Sequence, residues 1–351
     1  MEPEFQLPIQ WTYYNHRDEF SGGVLSEAVP IYENVWDAVD GLKSIIEFHR
    51  KRTAELHGNR TINIGSQIGK AQGKIPEWGN TRIFYRGHND MKFAFLPTLL
   101  RLKFESEDED RQFIEQGIKQ LNDFQVRLEN LTKNDPELDF VKGLTKSQKQ
   151  AIGRHYGVPS TLLDVTASMD VAAHFASSIK SPIVQRNDSG PYHAYGIIYA
   201  FNLEDVLSLP GIKGCGNFEN GFGYMFIPLF DHQRYIMLYK SPTSARIEPY
   251  TIRFKGERKI AFEFTFVPQI SRMNVQNAAF LSVDRAIGDT PFVKGYRDLI
   301  GAWEIIEFFS YKVCFPQTGV AYPLDPGNKS KEAFPKDSLS TKIESIIRHE
   351  G

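Results

Sequence analysis

Three short segments of this chain concentrate side chains that could do chemistry. The first is Arg86-Gly87-His88. Arginine presents a planar fork of donors matched to phosphate or carboxylate. The glycine beside it lets a ligand or another backbone approach closely. The second runs from His155 to Ser168. There Gly157 and Pro159 set a turn, Leu162 and Leu163 anchor it, and His155, Tyr156, Thr161, Asp164, Thr166 and Ser168 supply hydrogen-bonding groups. The third is Arg272 to Phe280, in which Gln276 offers a neutral amide with donor and acceptor ends. Each segment also has an ordinary structural use. An arginine can pair with a buried acid, a histidine and tyrosine can be satisfied core residues, and Asp164, Thr166 or Ser168 can cap the helix that follows.

The elements that position these groups follow from hydrophobic spacing. Arg82 to Gly87 reads as a short strand ending in a turn, in which Phe84 and Arg86 share a face. A long charged side chain at the end of such a strand needs a partner or a bound anion, and Asp164 is the first choice of partner. Val35, Val39, Leu42 and Ile46 predict a helix over 34–56. Ile114, Ile118, Leu121, Phe124, Leu128 and Leu131 predict one over 107–132, with Glu107 to Asp110 at its dipole-favoured start. Thr145-Lys146-Ser147-Gln148 is a capping box opening a helix to Arg154. Another helix is expected over 168–178, with Val171, Ala172, Phe175 and Ala176 inward. Residues 196–201 and 279–283 read as strands, and Ile260 to Phe266 alternates as a half-buried strand that carries Glu263 on its polar side. Residues 1–30 show no period and read as an irregular leader. The Gly-rich segment 211–223 lacks the ending of a phosphate loop and reads as a loop. The tail beyond 325 reads as exposed, with one short helix over 340–348. The expected organisation is an N-terminal leader and helical layer over 1–75, a core domain over 76–320 and a C-terminal tail over 321–351. The expected fold class is α+β, a mixed or antiparallel sheet with flanking helices.

Composition narrows the function. Forty-one basic and 43 acidic residues leave a net charge of −2, against a globally basic nucleic-acid binder. Two cysteines, Cys215 and Cys314, make no zinc spacing and point to a reducing compartment, so a cytoplasmic protein with no metal is expected. No apolar run is long enough to span a membrane.

The same segments carry a family resemblance. Phe84-Tyr85-Arg86-Gly87 resembles the F-x-R-G motif of the FRG-domain family. His155 to Thr166 is similar to its H-Y-G-x-P-T-x-L-L-D-W-T block, Ala172 to Ala176 to its A-x-x-F-A continuation, and Arg272 to Phe280 to its R-x-x-x-Q-x-G-x-F segment. The blocks keep the family order over residues 80–285. Ser160, Val165 and Ala278 depart from the family's threonine, tryptophan and glycine. The order of motifs also resembles that of ADP-ribosyltransferases, which is analogy and not chemistry. That likeness implies an ADP-ribosyltransferase-like core, with Arg86 holding NAD, a Ser/Thr motif shaping the nicotinamide pocket, and a later acid acting on the ribose. The chain has no Glu-x-Glu or Gln-x-Glu in the matching place; Gln276 and Glu263 are the candidates.

Two readings stay open. One is an ADP-ribosyltransferase or NAD glycohydrolase that takes NAD as substrate. Its catalytic residues would be Arg86, His155, Gln276 and Glu263, its ligand contacts Gly87, Tyr156, Thr161, Asp164, Thr166 and Ser168, and its macromolecular target unknown. The other is a non-catalytic module that binds a nucleotide, nucleic acid or protein through the same cleft. A Ser168–His155–Asp164 hydrolase lacks the G-x-S-x-G elbow and is disfavoured.

Overall fold

A computed structural model describes residues 10–17, 24–57, 83–91, 93, 95–101, 106–133, 135–178, 195–202, 219–220, 224–228, 234–240, 247–253, 261–267, 269–284, 303, 307, 310–324 and 338–348. The chain opens with strands β1 (Gln10–Arg17) and β2 (Val24–Ile31), helix α1 (Val35–His57) and strand β3 (Ile83–His88). Helices α2 (Glu107–Leu131), α3 (Asp139–Lys142) and α4 (Lys146–His155) lead to β4 (Leu163–Thr166), α5 (Met169–Ser177) and β5 (Tyr195–Asn202). Strands β6 (Glu219–Asn220), β7 (Tyr224–Pro228), β8 (Arg234–Lys240) and β9 (Ile247–Arg253) follow. Then come β10 (Ala261–Thr265), α6 (Ser271–Val275), β11 (Ala278–Asp284), β12 (Tyr311–Pro316) and α7 (Ser338–Arg348).

The fold is α+β. Eight strands form one sheet in the order β1-β2-β12-β5-β3-β4-β11-β10, and β6 to β9 form a separate antiparallel sheet of four. The larger sheet is mixed: β12 meets β2 in parallel, and its other pairings are antiparallel. The 1–30 leader is not irregular, since β1 and β2 pair along their whole length from Gln10–Ile31 to Arg17–Val24. The signal there is β propensity, in Trp11-Thr12-Tyr13-Tyr14, without a hydrophobic period. The Gly-rich segment lies outside the described residues except for Glu219 and Asn220.

Alternation along β3 divides the core. Ile83 and Tyr85 join α1, α5, β5 and β12 in one apolar cluster that includes Val39, Leu42, Ala172, Ala176, Ile198 and Val313. Phe84 stacks with Phe201 of β5 at 6.1 Å between ring centroids. Phe95 packs against Phe201 and Tyr199 of the same strand. Helix α5 lies so close to β3 that a Cβ on Gly87 would overlap the carbonyl oxygen of Ala172. That glycine therefore serves helix-to-strand packing, the close approach of another backbone that its sequence context allowed beside the approach of a ligand.

The second apolar cluster gathers the helical half of the molecule. Leu121, Phe124 and Leu128 of α2 meet Ala151 and Ile152 of α4, Met273 of α6, Phe280 of β11 and Ile343 of α7. The capping box forms as its spacing requires, Thr145 Oγ1 accepting from Gln148 N and Gln148 Oε1 accepting from Thr145 N. Helix α7 is docked, in contrast to the exposed tail expected. Ile343 is fully buried, Lys342 pairs with Asp135 at 2.5 Å and Glu137 at 2.6 Å, and Ser340 Oγ lies 2.9 Å from the Tyr156 hydroxyl. No helix among the described residues is long and apolar enough to cross a membrane.

If α7 is anchored by its apolar face, Ile343→Ala lowers the unfolding free energy by about 2–5 kcal/mol, as for other buried isoleucines cut to alanine. Urea unfolding measures it. A loss no larger than that of the exposed control Ser345→Ala would show that α7 does not depend on this contact.

Candidate functional site

Strand β3 meets β4 at a single position, Tyr85 opposite Thr166. On its other side it pairs with β5 through all six residues, from Ile83 to His88. Beyond Tyr85 the β3–β4 ladder is not continued, and a cleft of about 660 Å³ is lined there by both strands. Arg86 bridges the opening: its Nη1 donates to the main-chain carbonyl of Asp164. A side-chain donor thus satisfies an acceptor at the place where ladder pairing stops.

Asp164 is a shared counter-ion. Its Oδ2 is 2.6 Å from Arg154 Nη2 and 3.8 Å from Arg86 Nη1. The sequence pointed to the Arg86–Asp164 pair, but the closer partner is Arg154, at the last turn of α4. Gly157, at φ +101°, ends that helix in a left-handed conformation, and Val158 N then bonds back to the Gly153 carbonyl at 2.9 Å. The turn leaves Arg154, His155 and Tyr156 at the cleft wall.

Four arginines line the cleft, Arg86, Arg101, Arg154 and Arg272, against two carboxylates, Asp164 and Glu344. Burial lowers the Arg86 pKa to about 10, with Asp164 opposing the shift, so the guanidinium is charged at neutral pH. Burial also lowers Arg101, whose Nε donates to the Leu96 carbonyl at 3.2 Å.

The two histidines add no charge. Burial, reinforced by Arg86, holds His88 well below its ordinary value. Arg86 Nε donates to His88 Nε2 at 2.6 Å, so that nitrogen is the acceptor. The proton of the neutral ring then sits on Nδ1, 3.2 Å from the carbonyl oxygen of Phe93, to which it donates. Burial, then Arg272, lowers His155 to about 3. Its Nε2 is buried and makes no hydrogen bond among the described residues.

The three segments meet in this cleft. Arg86, Gly87, His155, Tyr156, Asp164, Thr166 and Gln276 all line it. Several of their polar groups are already engaged. The Thr166 hydroxyl donates to the Gln276 carbonyl at 2.8 Å and accepts from Ser168 N at 3.0 Å. Ser168 Oγ accepts from Val171 N as the cap of α5. Tyr156 holds Ser340 and lies under the Arg272 guanidinium, 5.0 Å from ring centroid to carbon. Thr161 and Ser168 are not on the cleft wall. Glu263 pairs opposite Ser282 in the β10–β11 ladder, and its side chain lies outside the described residues.

Residues 81–183 match the family model for the FRG domain. This chain carries an FRG domain. No curated protein and no solved structure matches the chain. The FRG match takes in Arg86, Arg101, Arg154 and Asp164, whereas Arg272, Gln276 and Glu344 reach the cleft from outside it. Among the described residues no group of histidine, cysteine, aspartate and glutamate is placed to hold a metal ion.

Sequence reasoning missed Arg101, Arg154, Phe93 and Glu344. A basic residue in the last turn of a helix ordinarily serves the dipole, which hid Arg154. Glu344 had a signal, because Ile343 and Ile347, four positions apart, give its helix an apolar side that has to be covered. Arg101 and Phe93 had none.

Two outcomes follow from this FRG cleft. Asp164→Asn, which leaves Arg86 and Arg154 without their shared carboxylate, costs about 1–3 kcal/mol in urea unfolding. A cost no greater than that of neutralising the exposed Lys142–Asp139 pair would overturn the shared counter-ion. Stability also falls with acid between pH 6.5 and 3. Folded His155 stays neutral down to about pH 3, while the unfolded chain binds protons below pH about 6.5. It therefore contributes a slope of about 1.4 kcal/mol per pH unit across that window, and the lowered His88 acts in the same direction. His155→Gln should remove one such share, and an unchanged slope between pH 6.5 and 4.5 would refute the assignment.

Proposed function

We propose that the FRG cleft binds a phosphorylated nucleotide, with NAD as the expected ligand. The observation that carries this is the convergence of four buried or half-buried arginines on one cleft, beside two carboxylates among its described lining residues. A dianionic pyrophosphate supplies the missing charge, and arginine forks match its oxygens. A volume near 660 Å³ falls within the range of small-molecule sites. Because the net charge of the whole chain is only −2, attraction comes from this local arrangement and not from bulk charge.

Cleavage of NAD is the second reading, favoured by Glu344. Glu344 of α7 is the second carboxylate of the cleft lining, 3.7 Å from Arg272, and a ribose bound beside that pair would meet it. In hydrolysis the glycosidic C–N bond breaks with its electron pair passing to the nicotinamide nitrogen. Water adds to the ribose carbon and releases one proton. A carboxylate beside that carbon stabilises the positive charge that develops on the sugar. His155 lines the same cleft as a neutral imidazole. The competing reading, a module that binds without turnover, uses the same arginines.

Calorimetry with NAD tests the binding. Saturable binding is expected, weakened at least about ten-fold in Arg86→Ala and in Arg154→Ala, since each removes a charge-assisted hydrogen bond. Absence of binding to NAD, ADP-ribose and ADP at millimolar concentration would overturn the proposal. Nicotinamide release that is lost in Glu344→Gln with binding retained would mark the enzyme, and binding without release the module.

A further inference from the structure

Phe93 is out of place for a core residue. Its side chain is 47% exposed although it lines the same cleft as Arg86 and Arg101. Single exposed aromatics are common and carry no meaning by themselves. What distinguishes this one is how firmly it is held.

Hydrogen bonds hold the described backbone at Phe93 and just before it at several points. Its N–H donates to the Asp90 carbonyl at 3.1 Å, and its own carbonyl accepts from His88 Nδ1. Met91 N donates to the carbonyl of Tyr195 at the start of β5, at 2.9 Å. Asn89 Nδ2 reaches the Ser178 carbonyl at 3.0 Å, just past α5, and Gln317 Nε2 donates to the Asn89 carbonyl at 3.1 Å. The ring meets His88 edge to face at 6.2 Å. The same imidazole accepts from Arg86 Nε, so one histidine positions both the anion clamp and the aromatic ring.

An exposed ring on a hydrogen-bonded backbone has less conformational freedom left for binding to remove. It gains apolar contact only when a flat partner covers it. A partner that also satisfies the adjacent arginines must carry a planar ring and a phosphate. We infer that Phe93 is the base-stacking residue of the cleft: a nucleotide lays its heterocycle on Phe93 while its phosphates meet Arg86, Arg101 and Arg154. Inorganic pyrophosphate and sugar phosphates engage the arginines alone. Phe93 therefore sets selectivity for nucleotides over simpler phosphates. This inference rests on the anion-binding reading of the cleft and adds the class of molecule attached to the anion.

The test compares ADP with inorganic pyrophosphate by calorimetry on the full chain. Phe93→Ala is expected to weaken ADP by about five- to a hundred-fold, the range for stacking one base on an aromatic ring. It should leave pyrophosphate within about two-fold and leave thermal unfolding unchanged. Phe93→Trp is expected to retain ADP affinity and to gain indole fluorescence that ADP quenches and pyrophosphate does not. A ratio of ADP to pyrophosphate affinity that is the same in wild type and Phe93→Ala would overturn the stacking role while the anion site stands. So would wild-type protein that binds pyrophosphate as tightly as ADP. Failure of wild type to bind either probe would remove the anion reading itself, and this inference with it.

Discussion

The site depends on how β3 parts from β4. The two strands share one ladder position, and past it the backbone of Asp164 needs a donor that no strand supplies. Arg86 supplies it with a side chain. An arginine is suited to this because it can bond a carbonyl with one nitrogen and a neighbouring imidazole with another, and still carry charge. The opening that would otherwise weaken the sheet becomes a cleft with a cationic wall. Gly87 has the complementary task on the side of α5, where only a residue without a Cβ lets the helix lie against the strand that carries Arg86. The two neighbours in the chain thus serve different masters, one the cleft and one the core.

Charge balance in the cleft is the next constraint. Desolvation disfavours every buried guanidinium, and Asp164 offsets that for two of them. The histidines could have added to the repulsion, but burial keeps both neutral. Neutrality also fixes what they can do. His88 accepts on one nitrogen and donates on the other, which requires a single tautomer. A protonated His88 could not accept from Arg86, so acid would break the link between the arginine and the Phe93 backbone.

Much of the site was legible in the sequence because its chemistry is crowded into short blocks. The Gly157-Val158-Pro159 turn, the capping box at Thr145 and the alternation at Phe84 and Arg86 are local rules, and local rules can be read from one chain. That these blocks share a cleft was an inference from polar groups beside apolar element ends. What could not be read was which hydroxyls are already engaged. Thr166 looks like a ligand contact until the Gln276 carbonyl, 110 positions away, is seen to take its proton. Arg101 gives no sign because its place in the cleft depends on a tertiary approach that no periodicity encodes. The β1–β2 hairpin was hidden for another reason, since its residues are rich in strand formers but show no alternation.

The docked α7 ties stability to the cleft. Its apolar side enters the same cluster as α2, α4 and Phe280, so the helix is held by burial and not by its ion pairs, which are largely exposed and weak. Held there, it sets Ser340 on Tyr156 and Glu344 near Arg272, which fixes the ring and the guanidinium that form one wall. Among the described residues that line the cleft, four arginines stand beside two carboxylates. An anion that enters binds the folded chain and not the unfolded one, and by linkage it must stabilise the fold as it binds. On the proposed anion-binding reading, a phosphate would offset part of the electrostatic penalty of gathering these arginines, and the packing of α7, β11 and α4 is what holds them together without it.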